Sequence, residues 1–217
     1  MNYIYYIKYR KRQLINIIIL VVLFTSFIQL EAQVIRSFGI RDGLANNTVW
    51  QISQDTLNRI WFATDGGICV YNGSSFKQYR QNINSEKNLP SNYCQAIICS
   101  NDGRIWVGSR SGLAYYDEKI DDFILVEDPN NESLNLDIIN LNSLNNNSIN
   151  ISTYGTGAVD YSASTNTFNY LYSQSSNLNS LSSDYIKQII QDTLRTWYST
   201  FDSGISIRNH KNQMYIV

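Results

Sequence analysis

The stretch RIWFATDGGICVYNG, residues 59–73, constrains this chain more than any other, because its shape occurs four times. It returns as RIWVGSRSGLAYYDE from Arg104, as the degraded copy SINISTYGTGAVDYS from Ser148, and as RTWYSTFDSGISIRN from Arg195. Trp61 and Trp106 stand 45 residues apart, Asn150 takes the Trp place 44 further on, and Trp197 follows after 47. The Gly that precedes the next strand lies six residues after the Trp position in the first two copies (Gly67, Gly112) and seven in the last two (Gly157, Gly204). A period near 45 whose unit is made of short strands marks a propeller blade.

Each copy has two further halves. Upstream stand GLANNTVWQISQD from Gly43, NLPSNYCQAIICS from Asn88, LNLDIINLNS from Leu134 and NSLSSDYIKQIIQD from Asn179. Downstream an aromatic strand closes each unit, at 76–79, 123–126, 168–172 and 214–217. The blades are therefore expected at about 43–79, 88–126, 134–172 and 179–217, each with four short antiparallel strands. In the first blade these are 49–55, 60–63, 68–71 and 76–79. Asn58, Asn72–Gly73 and Asp102–Gly103 supply hairpin turns, since Asn and Asp tolerate the left-handed region and Gly has no Cβ to clash. The fold class is all-β.

The order GL(S/P)xNxV, apolar strand, Asp, xIWxGTxxGGLxxYD, FxxY resembles the two-component regulator propeller repeat of the extracytoplasmic sensors of Bacteroides-type hybrid histidine kinases. The resemblance covers residues 43–217 in four units, with the third departing at Asn150. It implies a larger ring of about seven blades and a chain, of residues 33–217, that forms part of it. It also implies a sensing role for an oligosaccharide or related nutrient, with the remaining blades and downstream sensor domains as partners. The alternative is a stand-alone propeller serving protein interaction or adhesion.

Residues 1–32 read as a secretory signal, with an uncleaved anchor as the alternative. Lys8, Arg10, Lys11 and Arg12 precede an apolar run from Leu14 to Leu30, and LEAQ offers a small residue, Ala32, for cleavage before Gln33. The location expected is the periplasmic or extracellular side. Removing this segment takes away four of 17 basic and one of 18 acidic residues, leaving a net charge of −4. A mildly acidic surface without clustered Lys and Arg argues against nucleic acid as partner. Residues 34–38 align with the outer strands and are read as completing a blade whose other strands lie elsewhere. Free edges and uncovered apolar faces then invite self-association.

Catalytic chemistry finds little support. The single His210 sits in the polar turn RNHKNQ, and no GxSxG, HExxH, Walker or dinucleotide fingerprint is present. Cys69, Cys94 and Cys99 are odd in number and lack metal spacing, so they read as small apolar strand residues, and neither a metal nor a cofactor is expected. Asp55 and Asp192 precede a strand turn, where a carboxylate accepts backbone hydrogen bonds. Trp61, Trp106 and Trp197 fall at one strand position and are read as packing between blades, and Gly67, Gly112, Gly157 and Gly204 as turn or close-contact residues. The informative position is the one that varies inside a constant repeat. Four residues after the Trp place stand Asp65, Arg110, Tyr154 and Phe201. They belong to the loop between second and third strands, which in a propeller gathers with its equivalents on one face, so they are the candidate ligand residues.

Overall fold

The structure is a computed structural model, and it describes residues 2–25, 35–82, 84, 88–129, 136–144, 148–177, 179–209 and 214–216. The expected cleavage at Ala32–Gln33, together with Val34, His210 and Val217, lies outside the described residues. The chain divides into two units, residues 1–37 and 38–217. In the first, α1 runs from Asn2 to Thr25. Among the described residues no helix is long and apolar enough to cross a membrane.

The second unit is all-β, built as four four-stranded antiparallel sheets that follow one another along the chain. The first holds β1 (Val49–Gln54), β2 (Ile60–Thr64), β3 (Gly67–Tyr71) and β4 (Phe76–Tyr79). The second holds β5 (Cys94–Cys99), β6 (Ile105–Ser109), β7 (Gly112–Asp117) and β8 (Asp122–Leu125). The third holds β9 (Ile138–Ser143), β10 (Ser148–Thr153), β11 (Ala158–Ser162) and β12 (Thr167–Leu171). The fourth holds β13 (Ile186–Gln191), β14 (Arg195–Thr200), β15 (Ile205–Asn209) and β16 (Met214–Ile216). Each sheet is a blade whose strands pair in sequence order. The first strands of successive blades are neighbours: Gln51 and Ser53 of β1 accept hydrogen bonds from the Ile97 and Cys99 amides of β5, and Asn142 of β9 donates to the Ile189 carbonyl of β13. Ile35–Phe38 form no strand, and the strands expected to pair with that segment were not among the four blades.

Period-two alternation gives every blade two faces, and successive blades pack through them. Trp61, Ala63, Ile68 and Val70 of the first blade pack on Cys94, Ile97, Ile105, Val107 and Phe123 of the second. Trp106 and Leu113 of the second pack on Ile138, Leu141, Ile151 and Phe168 of the third. Ala158 of the third meets Leu181, Ile186, Ile189 and Tyr198 of the fourth. Trp61 lies 4.8 Å from the Tyr116 ring and 6.2 Å from Phe123, and Trp106 5.7 Å from Tyr161, so the tryptophans do join successive blades.

The degraded third copy has its own solution. Where blades two and three set Tyr116 and Tyr161 against the preceding Trp, blade four sets Arg208. Arg208 donates to Asp160 at 3.1 Å, and Asp160 accepts from Asn150, the residue in the Trp place. Tyr198 stands where blades two and three carry Val107 and Ile151, and its larger side chain packs on Ala158 of blade three, with the Arg208 guanidinium 5.6 Å from its ring. Both sides of this interface change together, which is why a copy without Trp still packs.

Candidate functional site

The indoles are fixed from outside the sheet. Asp55 accepts from Trp61 Nε1 at 2.8 Å, from Arg59 Nε at 2.6 Å and from the Leu57 and Arg59 amides. Asp192 repeats this with Trp197 Nε1 at 2.9 Å and the Leu194 and Arg195 amides at 2.7 Å. Burial opposes the Asp55 charge, yet the hydrogen bonds from Trp61 and Arg59 hold its carboxyl below the ordinary value. In blade two Ser100 accepts from Trp106 at 3.1 Å and donates to Asp102. These carboxylates are therefore structural.

At the opposite end of each sheet, the turn between second and third strands is closed by a hydroxyl. Thr64, Ser109, Thr153 and Thr200 donate to the carbonyls of Gly67, Gly112, Gly157 and Gly204 at 2.7, 3.1, 2.7 and 3.0 Å. Those four glycines have positive φ, and a Cβ on Gly67 or Gly157 would stand 2.3 or 2.1 Å from the outer-strand carbonyl of Tyr79 or Leu171. The residue that follows the hydroxyl residue in each blade is the varied one. Its amide donates to the carbonyl of the residue that enters the blade: Asp65 to Thr48 (3.4 Å), Arg110 to Tyr93 (3.0 Å), Tyr154 to Asp137 (2.9 Å) and Phe201 to Tyr185 (3.0 Å). Just inside, the first strand bulges at Trp50, Gln95, Ile139 and Lys187, a device that re-aims a side chain at a sheet rim.

These units join into one row across the four blades. Trp50 Nε1 donates to Asp65 at 2.5 Å, and the Trp50 ring lies 6.0 Å from Tyr93. Arg110 sits 4.7 Å over the Tyr93 ring and 3.8 Å from the Asp137 carboxylate. Burial pushes Asp137 above the usual carboxylate range, with Arg110 acting against it. Tyr154 then packs edge-on against Tyr185 at 4.9 Å and Phe201 at 5.7 Å. Trp50, Arg110, Tyr154, Tyr185 and Phe201 are exposed. All four residues singled out by sequence thus lie on one rim, with Tyr154 and Phe201 in contact and Asp65 and Arg110 linked through Trp50 and Tyr93. The sequence reading missed Trp50, Tyr93, Asp137 and Tyr185. For Tyr93, Asp137 and Tyr185 the signal was available, since the blade-entry place also varies (Thr48, Tyr93, Asp137, Tyr185) within a constant repeat.

A cleft of about 160 Å³ lies between blades one and two at the other end of the sheets, lined by Asp55, Arg59, Arg104, Tyr116 and Glu118 among others. That is below the ~300 Å³ at which ligand pockets begin, and Asp55 and Arg59 are already committed to each other. The rim offers the larger set of exposed aromatic and polar side chains. Among the described residues no cluster of His, Cys, Asp and Glu could hold a metal.

The family model for the two component regulator propeller matches residues 43–66 and 88–111. No curated protein matches the chain. Among solved structures, the extracellular domain of the hybrid two component system BT3049 of B. thetaiotaomicron superposes with a TM-score of 0.73 at 23% identity, covering 84% of this chain and 26% of that one. That of BT4673 from the same organism gives 0.66 at 25%, covering 82% and 24%. A streptogramin B lyase gives 0.57 at 13%, covering 80% and 55%. The chain spans about a quarter of the length of the two sensor domains. It is a four-bladed β-propeller segment that carries the two component regulator propeller repeat at residues 43–66 and 88–111.

Proposed function

We propose that this chain is a ligand-sensing propeller segment of a two-component sensor, working outside the inner membrane, and that its rim binds an oligosaccharide. The observation that supports this reading is the row from Asp65 and Trp50 through Tyr93, Arg110 and Asp137 to Tyr154, Tyr185 and Phe201. Sugars present apolar faces that stack on exposed aromatic rings and hydroxyls that hydrogen-bond to carboxylate and guanidinium. The repeat it shares with sensor proteins and the basic, then apolar, N-terminus support the location. Further blades and downstream sensor domains would carry the signal onward, and the ligand would leave chemically unchanged.

The test is binding of the full chain to an array of neutral and acidic oligosaccharides, followed by calorimetry on each positive. Saturable binding to a defined glycan is expected. Binding to none of them, with capture of extended peptides instead, would replace this reading by the protein-interaction one.

A further inference from the structure

Successive blades meet through equivalent strand positions, so their three interfaces can be compared residue by residue. At the first, Trp61, Ala63 and Val70 of blade one face Ile105, Val107 and Tyr116 of blade two. At the second, Trp106, Gly108 and Tyr115 face Ile149, Ile151 and Tyr161. At the third, the same six places hold Asn150, Ser152 and Asp160 against Thr196, Tyr198 and Arg208. A joint that is largely apolar twice is polar on both sides the third time.

The two charges at this joint answer each other: Arg208 donates to Asp160 at 3.1 Å, and Asp160 accepts from Asn150 Nδ2 as well. The neutral groups are not so provided. Among the described residues four buried side-chain oxygens lack a hydrogen-bond partner, and three of them stand here: Asn150 Oδ1, Ser152 Oγ and the Tyr198 hydroxyl. Their residues are 2%, 1% and 0% exposed. Strand register brings them together. Asn150 and Ser152 alternate onto one face of β10, where their partners on β11 are Asp160 and Ala158. Tyr198 packs on that Ala158, and its ring lies 5.6 Å from the Arg208 guanidinium that holds Asp160. Thr196, on the same face two residues before, comes near the Tyr198 hydroxyl without bonding to it. Burial pushes the Tyr198 phenol up, so it keeps a proton to donate. Three oxygens buried unpaired in one interface would offset a large part of a domain's stability.

We propose that a buried water bridges blades three and four, held by Asn150 Oδ1, Ser152 Oγ and the Tyr198 hydroxyl. The bonding balances: the two hydroxyls donate to the lone pairs of the water, and the water donates to the Asn150 carbonyl oxygen, which makes the three bonds usual for an internal water. Because Asp160 and Arg208 already neutralise each other, the site suits a neutral occupant and offers an ion no counter-charge. Trp61 and Trp106 join their blades by apolar contact, whereas Asn150 joins its blade through this water.

Tyr198→Phe and Ser152→Ala each delete one oxygen and keep the shape of the side chain, so urea unfolding of the full chain decides by sign. Deleting an unpaired buried hydroxyl leaves stability unchanged or raised, and deleting one that binds the water lowers it. Each variant should raise the unfolding equilibrium constant at least about five-fold. The double variant should fall short of the product of the two by at least about three-fold, because both oxygens hold the same water. Oxygen-17 relaxation dispersion, which counts long-lived bound waters, should find fewer in the double variant than in the unsubstituted chain. Either single variant proving as stable as the unsubstituted chain, or more so, overturns the proposal. So do effects that multiply independently in the double variant, or an unchanged count of long-lived waters.

Discussion

Trp61 and Trp197 hold the same strand position and the same carboxylate partner, and they differ in having a following blade, which makes them a measure of what a blade interface contributes. Trp61 is wholly buried and stacks on Tyr79 at 5.8 Å as well as on Tyr116 and Phe123 across the interface. Replacing it by Ala should cost about 3–5 kcal/mol, the range for a buried aromatic removed from a core. Trp197 keeps its hydrogen bond to Asp192 and the Arg195 guanidinium 6.0 Å from its ring, and among the described residues no further blade packs on it. Its loss should cost about 1–2 kcal/mol, from one hydrogen bond and part of the ring's area. The difference, about 2–3 kcal/mol, is a large share of the ~5–15 kcal/mol that holds a domain folded. Urea unfolding followed by circular dichroism reads both substitutions. Costs equal within about 0.5 kcal/mol would refute the claim that Trp61 acts through the neighbouring blade.

At Gly108 a Cβ would stand 2.3 Å from Ile138 Cγ2 and 2.9 Å from its Cβ, so Gly108→Ala should destabilise by about 1–3 kcal/mol through overpacking. Adding Ile138→Ala should cost less in that background than alone, and an additive double-mutant cycle in urea would contradict it. Asp121 of blade two accepts from Lys77 and Tyr79 of blade one and from Tyr116, which holds its carboxyl down at about 2. A depressed carboxyl favours the folded state at higher pH, so this contribution should be complete above about pH 4 and fade as pH falls toward 2. Asp121→Asn should flatten that part of the stability–pH curve, by well under 1 kcal/mol because the pair is exposed; an unchanged acid limb would count against the assignment.

The strands were legible because each blade states its own boundaries: an apolar alternation, an Asn or Asp turn, and a glycine forced to positive φ. Position 150 was legible as a departure but its remedy was not. Arg208 and Tyr198 lie 58 and 48 residues further along the chain, and nothing local says that they pack against the blade that holds Asn150. For the same reason Asp55 and Asp192 were foreseen as acceptors of backbone amides, while their bonds to the indoles of Trp61 and Trp197 required the fold. On the rim, variation at one repeat position found Asp65, Arg110, Tyr154 and Phe201. The bulge that brings Trp50 to Asp65 is a register shift, invisible in period-two alternation. Residues 34–38 resembled an outer strand by sequence, and Phe38 does take an outer-strand aromatic's place over Tyr71 and Phe76 even though no strand forms.

Calorimetry with a glycan that binds the full chain, comparing Arg110→Ala and Tyr154→Ala on the rim with Glu118→Ala at the opposite cleft, tests the functional reading most directly. The account predicts that each rim variant binds weaker by about 1–3 kcal/mol with its melting temperature unchanged, while Glu118→Ala binds as the unsubstituted chain does. Full affinity in both rim variants, or a loss confined to Glu118→Ala, would contradict it and move the site to the other end of the blades.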